Sequence, residues 1–510
     1  LAFSLLVRGG QIAEKKATVS DRTFRGGLNL SILAHQAMIE AGFSPDFPEA
    51  AWQELPAIRQ AANRLRAAPP SPDFRGLLWS SIDNPSSRDL DQIEFAERLS
   101  NGNIRILLGI ADVDALVPKG SASDLHAAQN GMSIYLGVVT FPLFPPEISN
   151  DMTSLLQDQD RQAVIVDITL DARGAVSAAS VSSGTVRNRA KLNYDSAGAW
   201  LENGGKAPEL VQNTPGLPEQ LHLQFEAARQ FHEERIRAGA LEFESIEPQP
   251  VMEGEHIAGL SLERKNRARD LIENLMVATN SAIAIFLESR GFPSIQRVVR
   301  TPERWPRIVE LAAQLGARLP AAPDAVALAE FLARRRRDDP EHFADLSLAM
   351  VKLIGAAEYV VVDKGREPEG HFGLAVHDYT HATAPNRRYP DLVTQRLLKA
   401  AIGGEPPPYS VGELEEIAAR CNDRARAARK MERLMRKIVA ATFLSGRIGE
   451  TFDALVTGVS PKGTYARVSN PPVEGRVVRG EAGLDVGEKV RVRLIGTNPE
   501  RGFIDFVRAN

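Results

Sequence analysis

The sequence predicts an α+β protein on three observations. Short strands bunch between Gly76 and Asp171, long amphipathic helices fill the middle, and a separate all-β pattern follows Ser445-Gly446. Residues 1–68 come first and read as a mainly helical module, with Leu30–Ala41 and Ala50–Ala67 separated by GFSPDFPE. A helix-turn-helix-like contact for RNA or protein is one use such a pair suggests. The proline-rich Ala68–Asp73 reads as a linker, placed at 69–75. Beyond it, LLWSSID, QIEFAE, IRILLGIADV and AVIVDITLD are alternating or continuous apolar runs of strand length.

Pro218–Gly239 is a charged amphipathic helix. Asp270–Ser289 is a more buried one, with Leu271, Leu275, Ala278, Ala282 and Ile285 at helical spacing. Helices continue from Trp305 to Leu397, and a further long one covers Val411–Leu444. Residues 76–445 are thus expected to form one large domain, a mixed sheet with surrounding helices. TFDALVTGV, GTYARV, EGRVVRG, EKVRVRLIG and GFIDFV then give five short strands, the pattern of a small closed barrel of OB type over 446–510. Phe503, in the last of them, is expected in its core.

Composition narrows the function classes. At 510 residues, 43% hydrophobic and 25% charged, the chain is neither disordered nor collagen-like. No apolar run reaches the roughly 18–20 residues that span a bilayer, and the opening LAFSLLV is short, with no A-x-A-like site close behind. No membrane association is expected. A single cysteine, Cys421, excludes an intramolecular disulfide and a Cys-rich zinc site, and a reducing cytoplasm is the natural setting. With 61 basic against 65 acidic residues, any affinity for nucleic acid must come from local clustering.

The most informative stretch is Ser80–Ala96, SSIDNPSSRDLDQIEFA. Asn84-Pro85-Ser86-Ser87 is turn chemistry that can bring Asp83 back alongside Asp89 and Asp91. Three crowded carboxylates repel unless cations neutralise them, so the cluster is a candidate site for a hard, oxygen-seeking metal. Alone it reads more readily as a solvated acidic turn. The second stretch, Tyr379–Arg396 (YTHATAPNRRYPDLVTQR), sets Arg387 and Arg388 at a turn before a helix. One arginine can face a site while the other braces the fold, and a guanidinium beside a metal-binding cluster suits phosphodiester cleavage.

Together these stretches resemble the ribonuclease II family, the RNB-domain 3′→5′ exoribonucleases. The first is similar to the acidic motif I-D-x(5)-D-x-D-D and the second to Y-x-H-F-T-S-P-I-R-R-Y-x-D. Ser133–Ser149, Gly239–Glu244, Leu271–Asn280 and Met431–Leu444 carry the likeness between and beyond them, in order, and it runs from Gly76 to Asn510. The resemblance implies processive hydrolysis of single-stranded RNA to nucleoside 5′-monophosphates, leaving a short oligonucleotide. It implies Mg2+ as one or two ions, with Mn2+ as a substitute, held by Asp83, Asp89, Asp91 and the position of Gln92. Asp91 would be the most critical and Arg387 would contact the scissile phosphate. Tyr135 and Phe243 match the aromatics flanking the stacked bases, and Glu273 and Glu432 match carboxylates near the terminal nucleotides. A cytoplasmic monomer, with protein partners unspecified, completes the expectation.

The sequence departs from the pattern in three places. Gln92 stands where the family has a fourth acid, which keeps a coordinating oxygen and drops its charge. It opens a second reading: a non-catalytic RNA-binding scaffold with a decayed site. Ala382, Ala384 and Asn386 replace Phe, Ser and Ile, which would loosen the cleft. Residues 1–68 are too short for the two cold-shock barrels usual at the family's N-terminus.

Two surfaces are candidates for RNA. Arg420–Lys437 holds eight basic and two acidic residues, with Arg426, Arg429, Lys430, Arg433 and Lys437 sharing a helical face. Met431, Leu434, Met435 and Ile438 are expected on the adjoining apolar face. In the terminal barrel, which resembles the ribosomal protein S-one type of RNA-binding domain, Tyr465 stands at a base-stacking position.

Overall fold

A computed structural model describes residues 23–24, 27–69, 72–244, 248–254, 256–262, 265–365, 367–461 and 463–509. The Leu1–Val7 run and two residues of the proposed linker lie outside them. Helices α1 (Leu30–Glu40) and α2 (Glu49–Ala67) fall where the apolar spacing puts them. Asn29 starts α1 by accepting from the Ile32 N–H at 3.0 Å.

The two helices do not share a core of their own. Leu30, Ala34 and Met38 of α1 pack with Ile134, Leu136, Met431 and Met435. Leu55, Ile58 and Ala62 of α2 join the main core. A free-standing helix-turn-helix would bury its helices against each other, whereas these serve as two separate braces.

The mixed sheet is present and curls shut. Strands β1 (Trp79–Asp83), β2 (Gln92–Arg98), β3 (Ile104–Ala111), β4 (Asp160–Leu170) and β5 (Val176–Asn193) pair in sequence order, and a parallel β5–β1 pairing closes the barrel. Alternation divides the side chains between two apolar clusters. Trp79, Ile93, Leu107, Ala163 and Ile165 form one, while Ile82, Ala96, Ile106, Leu108 and Val164 join the larger one with the helices. Burial on both faces is why these strands read as near-continuous apolar runs.

Helices α3 (Ala122–Asn130), α4 (Tyr194–Asn203), α5 (Leu217–Arg237) and α6 (Arg267–Ser289) follow. In α6, Leu271, Leu275, Ala278 and Ala282 are buried as the spacing predicts. Ile285, expected among them, is 51% exposed, because Ala284 and Leu287 take the core side of that turn. By length and composition α6 is long and apolar enough to cross a membrane, against the expectation from the sequence, yet 67% of its most apolar window is buried inside the protein. Beyond it come α7 (Phe343–Ile354) and α8 (Tyr389–Gly403), which begins at the arginine turn.

The long helix α9 (Val411–Leu444) starts from a reciprocal cap between Ser410 and Glu413. It threads three apolar clusters in turn. Leu414, Ala418 and Cys421 belong to the main core; Ala428, Met431, Met435 and Ile438 pack on α1; Ala440, Ala441 and Leu444 enter the terminal barrel. Leu434, expected on the apolar face, is 42% exposed and lines a cleft with Ile32 and Leu33 of α1.

The terminal barrel is built from Thr451–Ser460, Gly463–Val468, Val473–Arg479, Lys489–Asn498 and Phe503–Arg508. It closes through a parallel pairing of the third and fifth strands. Gly475 lets Phe506 fill its centre, since a Cβ there would lie 2.5 Å from the ring. Phe503 is 56% exposed, contrary to expectation: Ile504 and Phe506 face inward, so period two turns Phe503 out. A two-pronged Arg467–Asp345 ion pair (2.8 and 2.9 Å) fastens the barrel to α7.

Candidate active site

Asp83 ends β1, and the turn after it folds back as its Asn-Pro-Ser-Ser sequence dictates. Its Oδ1 accepts from the Asn84 N–H and the Ser87 hydroxyl, both at 2.7 Å. The returning chain is pinned by Ser154, whose Oγ accepts from the Leu90 N–H at 3.0 Å. Asp89 lies half-buried on this segment and takes a hydrogen bond from the Tyr135 hydroxyl at 3.0 Å. Asp91, just before β2, is 1% exposed.

The arginine turn meets this segment across the fold. The Asn386 N–H donates to Asp91 Oδ1 at 2.9 Å and Arg387 Nε donates to Oδ2 at 3.0 Å, joining positions 296 residues apart. Arg388 points elsewhere, to Asp391 in the first turn of α8 at 2.7 Å, so one arginine faces the site and its neighbour braces the helix. The loop after α3 locks the turn from the far side. Gly131 ends α3 in the left-handed region (φ 76°), its carbonyl accepts from the Tyr389 N–H, and the Ser133 N–H donates to the Arg387 carbonyl, both at 2.9 Å. That loop delivers Tyr135.

Burial pushes the Asp91 carboxyl up to about 7, against the pull of Arg387 and with a further push from Asp89. Burial also opposes the charge on Arg387, but Asp91, Asp89 and Asp83 outweigh it and hold the guanidinium firmly protonated. Three acids and one arginine therefore share a single electrostatic neighbourhood. Arg387 commits Nε to Asp91 and keeps 45% of its side chain exposed, which leaves its terminal N–H fork for a phosphate.

Among the described residues, no three carboxylate, histidine or cysteine side chains close on a single point as a finished metal cage. The oxygen donors nevertheless suit Mg2+. That ion keeps several waters and is normally held by one or two carboxylates together with phosphate oxygens. Gln92 is 5% exposed at the start of β2, opposite Ile110.

The other expected residues scatter. Tyr135 (46% exposed) shares a cleft with Glu432, Pro250, Leu260 and Arg436. Phe243 is half-buried against the cluster of Trp305, Phe331 and Phe343. Glu273 is exposed and paired with Lys265 at 2.8 Å. Arg426, Arg429, Lys430 and Arg433 are exposed along α9. Tyr465 is half-buried on the outward face of its strand, two residues from Arg467. Asn386 does not loosen the cleft as its polarity suggests. It is 1% exposed, its Oδ1 accepts from the Thr153 hydroxyl at 2.6 Å, and its main chain holds Asp91. Nothing in the sequence marks that N–H as part of the site.

A family model described as the RNB domain matches residues 72–404. The chain belongs to the RNB-domain family. A second model, the RNase II-type exonuclease C-terminal S1 domain, matches residues 450–509. Among relatives similar to this RNB protein are ribonuclease R 1 of Lactococcus lactis, 27% identical over 85% of this chain, and ribonuclease R of Thermotoga maritima, 27% identical over 94%. The chain spans 56% of the former and 70% of the latter. Mycoplasma genitalium RNase R in its apo form superposes with a TM-score of 0.81 at 22% identity, covering 94% of this chain and 78% of that one. Yeast Ssd1, described as a pseudonuclease, shares the RNB fold with a TM-score of 0.63 at 19% identity, over 79% of this chain and 49% of its own.

Proposed function

We propose that this chain is a 3′→5′ exoribonuclease that hydrolyses single-stranded RNA to nucleoside 5′-monophosphates with Mg2+. The observation that carries this reading is the pairing of buried Asp91 with the partly exposed Arg387, with Asp83 and Asp89 acting on the same guanidinium. Asp83, Asp89 and Asp91 would hold a divalent cation, whose chemistry there would be to lower the pKa of a water and to neutralise charge at the phosphate. Arg387 binds the scissile phosphate through its outward N–H groups and stabilises the charge that grows on the phosphoryl oxygens. Asp91 fixes the angle of that guanidinium, and the Asn386 N–H fixes Asp91. Tyr135 lays an exposed ring beside the site and grips a base by its face, which tolerates any sequence. The basic stripe of α9 tracks the backbone of the incoming strand.

Support also comes from the ribonuclease R relatives and from the RNB and S1 models that match this chain in succession. Single-stranded RNA carrying a 5′ label, incubated with Mg2+, is expected to shorten stepwise from its 3′ end and to stay intact in EDTA. RNA that is bound but never shortened overturns the proposal in favour of a scaffold. In the same assay Tyr135→Ala is expected to change the length of the residual oligonucleotide, with the turnover of longer RNA less affected. An unchanged end product removes Tyr135 from the clamp.

A further inference from the structure

The three carboxylates of the acidic cluster are not held alike. Asp83 receives the Asn84 N–H and the Ser87 hydroxyl, and Asp91 receives the Asn386 N–H and Arg387 Nε, so each is fixed by two donors. Asp89 is half-buried, and among the described residues its carboxylate takes one hydrogen bond, from the Tyr135 hydroxyl to Oδ2 at 3.0 Å. That donor stands on a firm support. Ile134–Tyr135 pairs with Thr140–Phe141 in a tight hairpin, and the Leu136 N–H donates to the Val139 carbonyl at 3.0 Å. Ile134 and Leu136 are 0% and 4% exposed, so they anchor the strand on both sides while alternation turns Tyr135 outward. Ser133 ties the same segment to the arginine turn through its N–H, and its hydroxyl accepts from the Leu143 N–H at 2.9 Å.

A hydroxyl on an anchored hairpin holds an otherwise rotatable carboxylate in one orientation. The carboxylate that accepts it at Oδ2 keeps Oδ1, with both lone pairs, for a cation. Ligating carboxylates are held by hydrogen bonds of this kind, and loss of such a partner lowers metal affinity about 10–100-fold. The ring of the same residue is the surface on which a base is proposed to stack. We propose that Tyr135 is a positioning residue for the metal. Its hydroxyl sets the Asp89 carboxylate for a divalent cation while its ring receives the base, so one side chain ties the seating of the 3′ nucleotide to the seating of the ion. This rests on the reading of Asp89 as a metal ligand given above.

Mn2+ binding to the full chain without RNA, followed by electron paramagnetic resonance, tests it. Wild type is expected to bind, and Tyr135→Phe, which removes one oxygen and keeps the ring, to bind about tenfold more weakly. In an Asp89→Asn background the same substitution is expected to change Mn2+ affinity by less than about twofold, because the carboxylate it positions is gone. Wild-type or tighter affinity in Tyr135→Phe overturns the proposal. An equal loss in both backgrounds does so too, since the hydroxyl would then merely support the hairpin. Wild-type RNA hydrolysis is measured alongside. Unchanged Mn2+ affinity in Asp89→Asn removes Asp89 from the metal site and takes this inference with it. Weakened binding in Asp89→Asn with no effect of Tyr135→Phe sinks this inference alone. Mn2+ binding that depends on both residues, in a wild type that never shortens RNA, sinks the proposed activity and keeps the link.

Discussion

Asp91→Asn is expected to reduce RNA hydrolysis by at least about 10³-fold while leaving the affinity for single-stranded RNA near that of wild type. The substitution removes the negative charge between Asn386 and Arg387, and it turns an amide toward one of two donors that the carboxylate now receives. Arg387 then loses the contact that sets its angle, and on the proposed reading a cation would lose an anionic ligand. Binding is expected to survive because, on the proposed reading, the exposed cations of α9 and the S1 barrel would engage the RNA backbone elsewhere. Single-turnover cleavage of labelled RNA, with fluorescence anisotropy for affinity, separates the two effects. Mononucleotides released at the wild-type rate would falsify the assignment of Asp91.

Arg396→Ala is expected to destabilise the fold by about 3–5 kcal/mol, the largest stability effect of any single change considered. Arg396 lies in the middle of α8, and its side chain is 3% exposed. It donates to Asp114 (2.9 Å), Asp124, the Tyr409 hydroxyl and the Val117 carbonyl (each 2.7 Å). Truncation leaves Asp124 buried with its cation gone. The loss propagates to the site, because this network and Gln395, which bonds the Ala111 carbonyl at 2.8 Å, hold α8 against the end of β3. Urea denaturation measures the effect. A loss below 1 kcal/mol would show that the α8–barrel junction is held by apolar packing alone.

Much of the fold is legible because its signals are local. Strand-length apolar runs, the Ser410-x-x-Glu413 cap and the turn residues before Asp89 each act within a few positions. The site is legible to the extent that its chemistry is carried by side chains of telling type, which holds for Asp83, Asp89, Asp91 and Arg387. The Asn386 N–H was hidden because any residue presents a main-chain donor. Ile285 and Leu434 failed for a related reason: spacing identifies a face, and the partner packed against it decides how wide that face is.

Because α9 contributes side chains to three hydrophobic clusters in succession, no part of this architecture can let go quietly. Unravelling the S1 barrel would strip Ala440, Ala441 and Leu444 of their cover and fray the rod toward the α1 contacts. Thermal denaturation of the S1 barrel and of the RNB domain is thereby mechanically coupled, as two floors of a building hung from one column.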